Sequence, residues 1–280
     1  MVQFDTQHLP TSAELPCSDD TPVDNEEQNF VPNFLFFLLE FIWGTRQDWY
    51  FGADMAIYHT TGENPRIPII PDGFLSVNVE RRKGGGSRSS YVVWEEDGTV
   101  PILVLEVVSH TPGGEYSTKE SIYAKLGVLY YVIYNPFYSV RDKHQPFEVY
   151  KLVNGTYRWQ IGEPIWLPEI GLGIGRGMRN YGGVKREVLY WFDEEGNRYV
   201  SSEEAEQEAR EQLFQVRQQL ERERQERELA QREAEQSRQE VEQSRQEVEQ
   251  SRQEVERERQ LREQLLQELE RYRQQFGGLE

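Results

Sequence analysis

From Ser201 onward the chain contains no proline or tryptophan, and no glycine before Gly277. A run this long, without a breaker and rich in Glu, Arg, Gln and Leu, has little choice but to form one helix. Within it EQSRQEV occurs three times in succession, ending at Val241, Val248 and Val255. One heptad frame fits the whole tail. Its a positions include Leu213, Leu220, Arg227, Val241, Leu269 and Phe276; its d positions include Val216, Ser237, Ser244, Leu265 and Tyr272. A strict seven-residue period implies a left-handed supercoil with a partner. Val alternates with Ser in the middle, and Glu223, Arg227, Glu258 and Arg262 interrupt the seam. The apolar ends therefore read as two clamps. The expectation for residues 205–276 is a parallel homodimer or capture of a similar partner helix. A solitary helix held by i,i+4 Glu–Arg pairs is the alternative.

The preceding part differs in kind, because it holds all the Trp and Pro and nearly all the Gly. Residues 1–28 are polar, with Pro10, Pro16, Pro22 and a DNEEQN run, and read as a disordered or loosely attached arm. Residues 29–200 suffice for one domain with its own core, and 201–280 form the coiled-coil helix. FVPNFLFFLLEFIW reads as a core helix near Pro32 to Gly44, since it carries Glu40 and lacks a basic leader. No stretch approaches the ~20 apolar residues of a membrane span. The single Cys17 excludes an intramolecular disulfide framework and multi-Cys zinc sites. A cytoplasmic location without membrane attachment is expected. The net charge of -18 argues against a generic nucleic-acid binder, which needs a basic face.

Two carboxylates stand out in the globular part. Asp72 lies in IPIIPDGFLSV and Glu106 in VPILVLEVVSHT, both apolar, strand-like runs. A lone carboxylate in such a run is costly unless it is paired, protonated or metal-bound. Two on neighbouring strands invite the metal reading. Downstream, TPGGEYSTKESIYAKLGVLYYVIYNP reads as loop, helix and strand. Ser117 or Thr118 caps the helix, and Gly127 ends it. Lys119 falls on the first turn, where a cation opposes the macrodipole, so its position needs another reason. DWYFGADMAIY reads as a strand containing Asp54. NVERRKGGGSRSSYVVW reads as an exposed loop whose Arg81, Arg82, Lys83 and Arg88 are candidate phosphate contacts. Asn154-Gly155 marks a tight hairpin. GLGIGRG precedes no amphipathic helix, which argues against a dinucleotide loop. The pattern is a mixed α/β sheet flanked by helices. Two carboxylates holding Mg²⁺ beside an ammonium make a hydrolytic phosphodiesterase arrangement.

Pro71-Asp72 followed by Glu106 resembles the PD-(D/E)xK nuclease superfamily, although Val108 stands where that motif has lysine. One branch carries the lysine in the following helix. From DWYFGADMAIYH through IIPDGFLSV, LVLEVVS and LYYVIYNP, the order and spacing resemble the Uma2 family (DUF820) of restriction endonucleases, abundant in cyanobacteria. Lys119, Tyr123 and Gly127-Val128 match its lysine, tyrosine and Gly-Val spacing. The chain has YYV and NP where the family often has EYW and DP, and Glu115 where Asp is common. The resemblance implies a restriction-endonuclease-like fold over roughly residues 30–200. It implies a Mg²⁺- or Mn²⁺-dependent endonuclease; the substrate is a nucleic acid, with DNA favoured over RNA but the sequence not deciding between them. Asp72, Glu106 and the Val107 backbone carbonyl would be metal ligands, with Asp54 as an additional candidate. Lys119 would orient water or stabilise the transition state. The alternative is an inactive nuclease fold serving as a scaffold through its coiled coil.

Overall fold

The computed structural model describes residues 9–17, 25–181 and 183–277. The chain divides into two compact units, Met1–Ala205 and Glu206–Glu280. The first helix, α1, spans Glu26–Ile42 and starts six residues before the Pro32 expected from sequence. The DNEEQN run supplies the start instead. Asn25 caps the helix by accepting from Gln28 N–H at 3.0 Å, and Glu26 and Glu27 complement the dipole of the first turn. Pro32 lies inside the helix, where it lacks one backbone donor. Val31, Phe34, Leu35, Leu38 and Leu39 recur at helical spacing and form the buried face.

Six strands form the main sheet: β1 (Trp49–Ala53), β3 (Gly73–Val77), β5 (Leu103–Val107), β6 (Tyr130–Tyr134), β7 (Phe147–Val153) and β8 (Thr156–Gln160). Their order is β1-β3-β5-β6-β7-β8. Within this sheet, among the described residues, only β5 and β6 pair parallel, and the helix α2 (Thr118–Leu126) connects them. The short α3 (Ser139–Asp142) lies between β6 and β7. At the β7–β8 hairpin, Asn154 and Gly155 both take positive φ, +52° and +77°, as the Asn-Gly signature predicts. The two-residue strands β2 (Ile57–Tyr58) and β4 (Tyr91–Val92) pair separately.

A second sheet is antiparallel, with β9 (Ile165–Leu167), β10 (Leu172–Tyr181) and β11 (Val184–Phe192) in the order β11-β10-β9. Gly173, Gly175 and Gly177 of GLGIGRG thus lie in a strand. A Cβ at Gly177 would meet the Tyr190 ring at 2.7 Å, so glycine here makes room for the aromatic side chains of β11.

Strand alternation decides what each face of the main sheet sees. Leu103, Leu105 and Val107 point toward α1 and the second sheet, in one apolar cluster. Val104 and Val108 point the other way, into a cluster with Tyr123 and Leu126 of α2 and with Tyr131 and Ile133. Glu106 shares that second face by register. A third cluster joins Leu15 to Ala56, Tyr58 and Val92. Tyr58 donates its hydroxyl to the Pro16 carbonyl at 2.7 Å, and the Trp94 indole donates to the Pro10 carbonyl at 3.0 Å. Residues 9–17 of the expected arm therefore pack on the β2–β4 region. Residues 1–8 and 18–24 lie outside the described residues.

The final helix, α4, spans Ser202–Phe276, 75 residues. At ~1.5 Å per residue it is about 110 Å long. Its start is a capping box: Glu204 N–H donates to Ser201 Oγ at 3.2 Å, and Ser201 N–H donates to the Glu204 carboxylate at 3.1 Å. Seam residues Leu213, Val216, Leu220, Val241, Val248 and Leu269 are all exposed. The side chain of Phe276 lies outside the described residues.

Among the described residues, none of the three apolar clusters draws a residue from beyond Tyr199. A chain truncated after Ala205 is therefore expected to keep its near-UV circular dichroism and to melt within ~2–4 °C of the full chain. A molten spectrum from the truncated protein would show that α4 helps hold the domain.

Candidate metal-binding and catalytic site

The site forms where β3 and β5 part. The two strands pair at Gly73–Leu105, Phe74–Val104 and Leu75–Leu103, and β3 begins only at Gly73. The sequence puts Asp72 at the end of an apolar, strand-like run; in the structure it sits just ahead of the strand. Its side chain takes over where the ladder stops, with Oδ2 accepting from Val107 N–H at 2.6 Å. In a strand the N–H and C=O of one residue point to the same side, so the Val107 carbonyl also faces toward Asp72. That carbonyl accepts from the Gln28 amide of α1 at 3.3 Å.

Glu106 is 1% exposed, on the α2 face of β5. Its two oxygens are gripped by one helix. Lys119 Nζ lies 2.7 Å from Oε2, and the Tyr123 hydroxyl donates to Oε1 at 2.6 Å. Lys119 and Tyr123 are four residues apart, so they stack on one face of α2. The Lys119 ammonium also lies 3.5 Å from the Ile70 carbonyl, which brings it toward the segment leading to Asp72. This explains a cation on the first helical turn: its carboxylate partner outweighs the unfavourable dipole. The turn itself is built by Gly114, with φ of +84°, whose carbonyl accepts from Lys119 N–H at 3.0 Å. Glu115 clamps this loop by accepting from Gly113 N–H with both oxygens at 3.0 Å.

Burial dominates the electrostatics. Burial, then the nearby Glu106 charge, pushes the Asp72 carboxyl well above its ordinary range; the Val107 N–H and Lys119 oppose this only partly. Burial also raises Glu106, against the pull of Lys119 and Tyr123. For Lys119, burial works to lower the ammonium, but Glu106 and Asp72 outweigh it and hold the group above its usual value. Burial beside Glu106 keeps Tyr123 a neutral donor, far above the ordinary phenol range.

The other candidates differ in position. Asp54 is exposed just after β1, with φ of +47°; its N–H donates to the Asp72 carbonyl at 3.0 Å, and its charge contributes to raising Asp72. Arg88 is almost buried, paired with Glu96 at 2.9 Å and set 4.3 Å over the Tyr50 ring. Arg81 pairs with Glu40 and covers the Trp49 ring. Lys83 donates to the Glu95 carbonyl. Arg82 is exposed. Three of the four basic side chains thus have structural partners within the domain.

Two participants carried no sequence assignment. Tyr123 was visible as part of a spacing, yet only the fold shows its hydroxyl on Glu106. Gln28 could not be found from sequence, because it lies 79 residues from the carbonyl it meets. Among the described residues, no group of three or more His, Cys, Asp and Glu converges as a metal cage. The oxygen donors on hand are the Asp72 and Glu106 carboxylates and the Val107 carbonyl. Few hard donors suit a small divalent cation that keeps several waters.

Two outcomes follow from this geometry. Tyr123→Phe removes a hydrogen bond to a buried charged group and should cost about 1.5–3 kcal/mol in urea unfolding. Asp72 has a raised folded pKa, so its stabilising contribution is full below the unfolded value of ~3.9 and is lost as pH rises through the folded value. Asp72→Asn keeps an acceptor for Val107 N–H and removes that loss. Without divalent cations it should melt above wild type near pH 8 and alongside it near pH 4. An equal or lower melting point near pH 8 would contradict the electrostatic account.

A family model described as "Putative restriction endonuclease", Uma2, matches residues 20–175. Comparisons with curated proteins and with solved structures returned no match. The matched span includes Gln28, Asp72, Glu106, Lys119 and Tyr123 and runs from before α1 into β10; α4 lies outside it. It covers more than half of the 280 residues, and the chain belongs to the Uma2 family.

Proposed function

We propose that this protein is a metal-dependent endonuclease that hydrolyses phosphodiester bonds, with DNA as the favoured substrate. The observation that carries the reading is the meeting of Asp72, Glu106 and Lys119 at the end of β5, within the span that matches the nuclease family. Asp72, Glu106 and the Val107 carbonyl would hold Mg²⁺ or Mn²⁺, with Asp54 close enough to add charge. A bound divalent cation supplies Lewis-acid polarisation of a phosphoryl oxygen and lowers the pKa of water.

The chain's own residues do the rest. Tyr123 fixes Glu106 in one orientation through Oε1. Lys119 balances Glu106 and presents an ammonium that orients the attacking water or stabilises charge on the phosphoryl group. Gln28 holds the Val107 carbonyl from the opposite layer. Lys119 is about one quarter exposed, which leaves it a side open to substrate. A second reading, an inactive nuclease fold acting as a scaffold, is favoured by the basic loop. Arg81, Lys83 and Arg88 have partners within the domain, and so offer phosphate less than exposed cations would.

Cleavage of plasmid and single-stranded DNA with and without Mg²⁺ separates the two. Wild type should cut only with the metal. Glu106→Gln should lose at least ~10²-fold in rate, as should Lys119→Met, the size typical of removing one transition-state contact. Cleavage that survives in purified Glu106→Gln protein would overturn the assignment, and an inert wild type would favour the scaffold.

A further inference from the structure

The flanking positions of the α4 heptads carry a second pattern. With Val241 at a and Ser244 at d, arginine occupies the e positions 238, 245, 252 and 259, while glutamate occupies the g positions 233, 240, 247 and 254. These side chains are exposed, on one continuous helix. In a parallel, in-register pair each g residue faces the e residue five further along the second helix. Glu233 then meets Arg238 of the second copy, Glu240 meets Arg245, Glu247 meets Arg252, and Glu254 meets Arg259. In the next heptad g is Leu261, and the residue it meets is Leu266; after that Glu268 meets Arg273. The charge pattern and its one apolar exception match together.

Antiparallel pairing sets e against e and g against g, so arginine would face arginine and glutamate would face glutamate. The seam itself also selects the register. A one-heptad slip keeps the ion pairs of the EQSRQEV repeats but sets Leu220 against Arg227 and Leu265 against Glu258. In register, Leu213, Val216 and Leu220 stack on their own copies at one end, as do Leu265 and Leu269 at the other. Glu223 and Arg227 occupy adjacent layers, as do Glu258 and Arg262, so each arginine has a glutamate of the second copy one layer away. Polar layers of this kind lower stability and fix alignment.

We propose that α4 pairs with α4 of a second copy of this chain as a parallel, in-register two-stranded coiled coil. The inference stands on α4 alone and does not depend on nuclease activity. Its test uses the full-length chain with Cys17→Ser, so that introduced thiols are the only ones. Ser244→Cys, a d-layer position, should oxidise almost completely to a covalent dimer in a glutathione redox buffer. In the Ser237→Cys, Val248→Cys double variant, peptide mapping should find 237–237 and 248–248 links. Links between 237 and 248 would mean antiparallel strands and would overturn the proposal, as would a monomeric mass for wild type by light scattering at tens of micromolar. Replacing Arg238, Arg245, Arg252 and Arg259 together by Glu should shift the mass from dimer to monomer. A variant that stays dimeric would show that the flanking charges do not select the partner.

Discussion

Glu106 replaces an aliphatic side chain on a strand whose other positions are Leu and Val, and it is sealed from solvent on the α2 face. Removing a carboxylate from water costs several kcal/mol unless its lone pairs are met by donors of good geometry. The fold supplies them from a single helical turn. Lys119 and Tyr123 each take one oxygen, so the helix must begin where it does and in the rotation it has. That requirement explains the loop before it: Gly114 turns the chain, and Glu115 ties the turn down through Gly113.

The same strand end couples three layers of the domain. Asp72 caps the Val107 N–H that β3 leaves behind, and Gln28 from α1 meets the carbonyl of that residue. Asp72 lies close enough to Glu106 for that charge to raise its carboxyl, and the Lys119 ammonium, paired with Glu106, also acts on Asp72. Two carboxylates and one lysine leave a local excess of negative charge, which a divalent cation would relieve. A purely structural ion pair would need only one acid.

Much of this was legible in the sequence because it rests on local rules. The apolar run around Glu106, the Gly127 stop and the Asn154-Gly155 turn each act over a few residues, and each appears where expected, while of the run around Asp72 only Gly73–Val77 forms a strand. The tail helix was equally plain, since nothing in 75 residues interrupts it. The start of α1 was not, because Pro32 resembles a first-turn proline, while Asn25 and the acids after it are as common in disordered segments. The docking of Leu15 and the role of Gln28 depend on contacts across the fold that no spacing encodes. The basic loop misled for a similar reason. Arg88 looks solvated in sequence, yet its Glu96 partner and the Tyr50 face enclose it.

The central claim is that Asp72 and Glu106 are kept for a cation and not only for Lys119. Titration of free Mn²⁺ followed by electron paramagnetic resonance addresses it directly, with no dependence on finding the right nucleic acid. The account predicts saturable binding of one ion per chain to the wild-type protein, and loss of that binding in both Asp72→Asn and Glu106→Gln while each stays folded. Equal binding by wild type and both variants, or no binding by any of them, would contradict it.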